Sequence, residues 1–145
     1  MGRFSLEISD DFFKQLGRLK DIEKVAPQMI DAATPILVQS VKNALSSHRE
    51  TGDMIASIRR TKAKKTKGGG FYGAVRPTGI SKFYINAKGK KKERKVPIRN
   101  MEKFAYLEFG TKQQQATPVI TKALNDARPG VEQAMAETFK KEMSK

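Results

Sequence analysis

The stretch Phe104–Leu124, FAYLEFGTKQQQATPVITKAL, decides how the C-terminal half of this chain is read. An aromatic cluster of Phe104, Tyr106 and Phe109 runs into a Gly-Thr stop at Gly110-Thr111. Gly110 suits a left-handed stop after a helix, where any side chain costs energy. A polar glutamine run follows, then Thr117-Pro118, a helix-start signal. Thr117 is the expected cap, and Pro118 at the first helical position lacks only a donor that would be unpaired anyway. The stretch therefore reads helix, tight stop, exposed loop, helix.

Working outward, Val25–Ser47 has the clearest periodicity in the chain. Val25, Met29, Ala33, Ile36/Leu37, Val41 and Ala44/Leu45 recur at helical spacing and form one apolar stripe. This is the expected main core helix. Pro27 fits its first turn, whereas Pro35 predicts a kink or a split near Thr34. Upstream, the alternation of Phe4, Leu6 and Ile8 suits a short strand, and Ser9-Asp10-Asp11 opens a helix over Asp11–Leu19. Thr51 is the expected cap of one or two turns over Asp53–Ser57, and the chain is extended from Ile58. The β-prone runs Ile58–Thr66, Phe71–Val75 and Phe83–Ile85, with a turn at Pro77-Thr78-Gly79, predict a three-stranded antiparallel meander. Downstream, Val119–Ala127 is helical, and Pro129 is expected to restart a final helix.

The fold expected is α+β. A small antiparallel sheet packs against a long helix of the N-terminal half and against C-terminal helices, with two basic exposed loops. The 145 residues are read as a single domain, residues 1–145, large enough to bury roughly 68–70% of the unfolded surface.

Charge is informative by position. The chain has a formal net charge of +14. Fifteen Lys/Arg and one acid, Glu93, lie in the basic strand-and-loop region 59–99, which leaves 14 basic and 14 acidic residues elsewhere. Such a block reads either as a contact surface for a polyanion, with steep salt dependence, or as a solvated pair of loops kept soluble by charge. The lysines singled out are Lys62, Lys64, Lys65 and Lys67 in the first basic arm. Lys90, Lys91, Lys92, Arg94 and Lys95 belong to the second, Lys88–Lys95, which is expected to be a loop too charged to pack.

Several chemistries lack their residues. There is no cysteine, and the single histidine, His48, lies in a polar loop without companions for a metal site. No serine sits in a nucleophile elbow, and the triple glycine at Gly68–Gly70 is not followed by a phosphate-loop lysine. Glu108, the one acid inside an apolar run, suits a structural hydrogen bond or ion pair better than general-acid work. The chain reads as a non-enzyme with no cofactor. No apolar run is long enough for a membrane span, and residues 1–11 carry no secretory pattern.

Three features in this order resemble the neck or tail-completion proteins of long-tailed bacteriophages, also called head–tail joining or minor tail components. Thr51-Gly52, Met54 and Ser57-Ile58 match a TG-x-hydrophobic-x-x-S-I pattern after a long helix. Ala105, Tyr106, Glu108, Phe109, Gly110 and Thr111, after Phe104, match an aromatic-A-Y-x-x-E-[FY]-G-T pattern. Ala116-Thr117-Pro118 with Ala123-Leu124 matches a small-x-P-hydrophobic-x-x-A-[LM] helix start. The chain departs at Val119, where the family usually has an aromatic, and at its glutamine run.

The resemblance implies a virion component assembled in the bacterial cytoplasm. It would form a homo-oligomeric ring with other neck and tail proteins, namely a head-closure ring, a tail terminator or the tail tube. The genome passes through such a ring, so the basic block would meet the DNA backbone without base readout. The competing expectation is a free-standing, sequence-nonspecific nucleic-acid-binding protein. It draws on a pI near 10.1 and on aromatics beside lysines, Phe71, Tyr72, Phe83 and Tyr84, placed to stack on bases.

Overall fold

The computed structural model describes residues 21–145, and the strand and helix expected within residues 4–19 lie outside them. Two long helices frame the molecule: α1, Ile22–Leu45, and the last helix, Val119–Met143. Val25, Ala33, Val41 and Leu45 of α1 are buried, as the periodic stripe requires. The last helix turns its small buried residues Ala123 and Ala127 into the frame, together with Val119. Small side chains let the two axes approach closely. Ser40 Oγ donates to the Ala123 carbonyl at 2.8 Å, and a Cβ built on Gly130 would lie 3.3 Å from Ile36 Cγ2. The start of α1 (Asp21, Val25) lines one pocket with the end of the other helix (Glu142, Met143), so the pair is antiparallel.

Both helices overrule their prolines. α1 begins at Ile22, which moves Pro27 from the expected first turn into the second. It also runs unbroken through Pro35, where a kink or split was expected, and Pro129 lies inside the final helix rather than restarting one. An interior proline costs about 3 kcal/mol. Here Ala33 and Thr34 are buried beside Pro35, and Gly130 packs on Ile36 beside Pro129. Packing along the frame outweighs the local preference.

After a short 3-10 turn at Ser46–His48 come α2, Asp53–Ala56, and the strands β1, Ile58–Arg60, and β2, Lys64–Lys65. β3, Phe71–Tyr72, and β4, Val75–Pro77, return along them, with β1 pairing β4 and β2 pairing β3. The two ladders form one interrupted hairpin, stitched by Thr61 N–H to the Ala74 carbonyl (2.8 Å) and Ala74 N–H to Thr61 Oγ1 (2.9 Å). This hairpin lies along α1. Arg60 Nη1 meets Asp31 at 3.0 Å, and Lys65 Nζ meets Glu23 at 2.8 Å. At Gly73 the approach is so close that a Cβ would sit 2.5 Å from Ile30 Cγ2. The hydrogen bond from Lys65, and then its charge, hold the Glu23 carboxyl below its ordinary pKa. That contact is therefore present at neutral pH and is lost as the solution is acidified through the lowered value.

β5, Ile80–Ile85, and β6, Lys91–Arg99, form a second hairpin, closed at Asn86–Lys90 by Asn86 Oδ1 accepting from the Lys88 and Lys90 amides. The register slips between Ser81↔Ile98 and Phe83↔Glu93, so β6 bulges over Arg94–Pro97 opposite Lys82. Two findings correct the sequence reading. The sheet is not a three-stranded meander, because β4 and β5 do not pair among the described residues. Thr78 N–H bonds back to the Ser57 carbonyl, while the Asn100 side chain takes the Thr78 carbonyl at 2.8 Å. These bonds pin the Thr78-Gly79 link and send β5 away from β4. Nor is Lys88–Lys95 a loop: Lys91–Lys95 are strand. Ladder bonds use only the backbone, and charged side chains are well suited to an open edge.

β6 leads directly into α3, Asn100–Phe109, and the final helix, Val119–Met143, is α4. One core cluster joins Val41 and Leu45 (α1), Met54 (α2), Ile58 (β1), Phe104 and Leu107 (α3), and Val119 and Ala123 (α4). The α+β architecture, with a long N-terminal-half helix, small antiparallel ladders and a C-terminal helix, agrees with the sequence reading.

Candidate functional site

Two surfaces carry the residues singled out in the sequence. The first is the basic face of the two hairpins. Lys62 lies between β1 and β2, Lys64 and Lys65 on β2, and Lys67 in the turn beyond. Lys90 closes the second turn, and Lys91, Lys92, Arg94 and Lys95 lie on β6. All are exposed except Arg94. Arg94 is engaged inside the protein: Nε donates to the Phe83 carbonyl at 3.1 Å, and Nη2 reaches Glu50 at 3.5 Å. Its assignment to a DNA-facing set is therefore corrected, since its guanidinium bridges the bulge. Lys65 is paired with Glu23, and Lys91 Nζ stands 4.4 Å from the Phe83 ring centroid. Arg94 lies 5.5 Å from the Tyr84 centroid, and Lys65 lies 5.9 Å from that of Phe71. Three of the four aromatics thus have a cation of this chain over the ring, where a base would have to stack.

The second surface joins the three stretches of the resemblance. Met54, Ile58, Phe104, Leu107, Val119 and Ala123 share the core. Gly52, at φ +83°, caps α2, and its carbonyl accepts from Ala56 N–H at 2.9 Å. Thr51, expected as the cap, makes only a 3.4 Å contact from Oγ1 to Asp53 N–H. Ser57 Oγ donates to the Met54 carbonyl at 2.7 Å. Ala105 is half-buried on α3. Of the aromatic cluster only Phe104 is buried, while Tyr106 is 45% and Phe109 79% exposed.

The Gly110 stop is real but not left-handed helical. Its φ of +74° comes with ψ −178°, and its N–H reaches the Tyr106 carbonyl at 2.9 Å. Thr111 organises the exposed glutamine loop: its hydroxyl accepts from the Gln113 and Gln114 amides, and its own N–H donates to the Gln114 carbonyl. Pro118, not Thr117, occupies the N-cap of α4 and offers no side-chain acceptor there. Glu108 supplies one from α3. Its Oε2 accepts from Ile120 N–H at 2.7 Å, and its Oε1 accepts from the Thr121 hydroxyl at 3.0 Å. A carboxylate at this end also suits the helix dipole.

Between the α1–α2 connection, β6 and α3 lies a cleft of about 260 Å³, walled by His48, Arg49, Arg94, Lys103 and Tyr106 and floored by Met54. Glu50 stands among the cations. Its Oε2 lies 3.2 Å from Lys103 Nζ and 3.5 Å from Arg94 Nη2, and its Oε1 accepts from Ile85 N–H at 3.2 Å. Sequence reasoning missed Arg49, Glu50 and Lys103. The only trace was an acid next to Thr51-Gly52, because the partners of Glu50 lie 35 to 53 positions away.

Among the described residues, no group of three His, Cys, Asp or Glu side chains could hold a metal ion, and no helix is long and apolar enough to cross a membrane. Comparison with protein-family models, curated proteins and solved structures finds no match.

Proposed function

We propose that this chain is a structural component of a phage or prophage virion. It joins tail to head at the neck, as one subunit of a ring around the DNA channel, beside a head-closure ring, a tail terminator or the tail tube. The observation that carries this reading is the convergence of the three resembling stretches. Thr51–Ile58, Phe104–Thr111 and Ala116–Leu124 contribute to one core cluster, and Glu108 ties the second of them to the third. The exposed lysines support a phosphate-facing role in the channel. The decisive test is assembly in a phage or prophage that carries the gene. With the gene disrupted, filled heads and finished tails should accumulate unjoined in electron micrographs. Normal particles from the disrupted strain would refute the reading.

A second expectation concerns DNA directly. The purified chain should bind duplex DNA weakly and without sequence preference, with log affinity falling linearly in log salt by about 0.9 per phosphate neutralised. Replacing Lys62, Lys64, Lys65, Lys90, Lys91 and Lys92 by Glu should abolish binding and leave the fold intact. The free-standing, sequence-nonspecific alternative predicts binding in which base stacking adds a share that persists at high salt. The cations over Phe71, Phe83 and Tyr84 speak against its stacking component.

A further inference from the structure

The cleft beside Glu50 has an unbalanced charge and an apolar floor. Three permanent cations, Arg49, Arg94 and Lys103, line the cleft with a single carboxylate, Glu50. The Arg94 and Lys103 side chains are only 20% and 16% exposed, and both are directed at Glu50. Arg49 has no carboxylate partner among the described residues; its guanidinium lies over Gly52, where a Cβ would be 3.2 Å from Nε. Beneath the cations lie Met54 and Leu107, each 8% exposed, and half-exposed Tyr106 forms the rim. Arg94 and Lys103, held largely out of water, act on a second carboxylate more strongly than surface lysines do, because low local dielectric strengthens the interaction, and the exposed Arg49 stands at the surface to meet it.

The geometry points to a binding site for a protein segment that presents a carboxylate to Arg49 and an adjacent aliphatic or aromatic side chain to the Met54–Leu107 floor. A nucleic-acid backbone fits less well. Its phosphates carry no apolar group for the Met54–Leu107 floor. The site needs a concave cleft and a mixed charge–apolar ligand, whereas the hairpin lysines need only negative charge. The inference does not rest on the virion reading, and it holds or falls on binding to the isolated chain.

The test is a titration of the full chain, followed by NMR, with a terminally blocked hexapeptide of alternating glutamate and leucine. The signals expected to move are the Gly52 amide, the Arg49 Nε–H and the Leu107 methyls. Three changes should each weaken binding about tenfold, the loss that goes with one charge-assisted contact or one apolar side chain: glutamine for glutamate in the peptide, serine for leucine in the peptide, and Arg49→Gln in the protein. Tyr106→Ala, at an exposed position that leaves the core intact, should weaken binding in the same way. The proposal is overturned if the glutamine peptide binds equally well, or if the shifts gather at Lys90–Lys92 instead. It is also overturned if a short DNA duplex moves the cleft signals at lower concentration than the peptide does.

Discussion

Gly110→Ala, Gly110→Asn and Gly110→Val should each destabilise the chain by about 3 kcal/mol, the combined scale of a strained backbone and an overpacked site. The φ of +74° alone would make asparagine a mild substitute, since asparagine tolerates the left-handed helical region. The ψ of −178° removes that tolerance, because extended backbone at positive φ is open essentially to glycine alone. Space is refused as well. A Cβ here would stand 2.8 Å from both Ala116 N and Gln114 O, and neither backbone atom can swing aside as a side chain can. Thermal melts check this, with each variant losing roughly 6–12 °C. A near-native Gly110→Asn would mean that the turn relaxes into an ordinary left-handed helix stop.

Glu108→Ala should cost about 2–3 kcal/mol, because it leaves two donors of the first turn of α4 without their charged acceptor. Helices usually take this acceptor from their own N-cap residue, and Pro118 has none to give. Glu108→Gln keeps one acceptor oxygen for Ile120 N–H but loses the charge, so it should fall between wild type and alanine. Hydrogen exchange separates a local effect from a global one. In the alanine variant the Ile120–Lys122 amides should lose protection well before those of α1. Unchanged exchange there, with an unchanged melting temperature, would show that α4 starts without help from α3.

What could be read from the sequence was what lies close together in it. The stripe of α1 announces itself because its residues return every three or four positions, and the Gly110 stop is visible as a glycine after an apolar run. Pro35 and Pro129 misled because their cost is local, whereas the contacts that outweigh it come from the opposite helix. The charged run Lys91–Lys95 misled in the other direction. Its side chains argue for solvent, but a strand needs only its backbone. The cap from Glu108 spans 12 positions and the Glu50–Lys103 contact spans 53, and no spacing rule covers either. The candidate cleft was illegible for the same reason: its cations come from three separate elements.

The antiparallel frame also bears on how the chain is made. Ser40 and the Ala123 carbonyl that it grips are 83 positions apart. At 5–20 residues per second, a ribosome spends roughly 4–17 s between them. Throughout that interval the apolar stripe of α1 is finished but has no α4 to lie against. Two-stranded ladders are marginal on their own and offer little cover. The nascent chain therefore carries an open hydrophobic face throughout that interval. That face is covered only when α4 arrives.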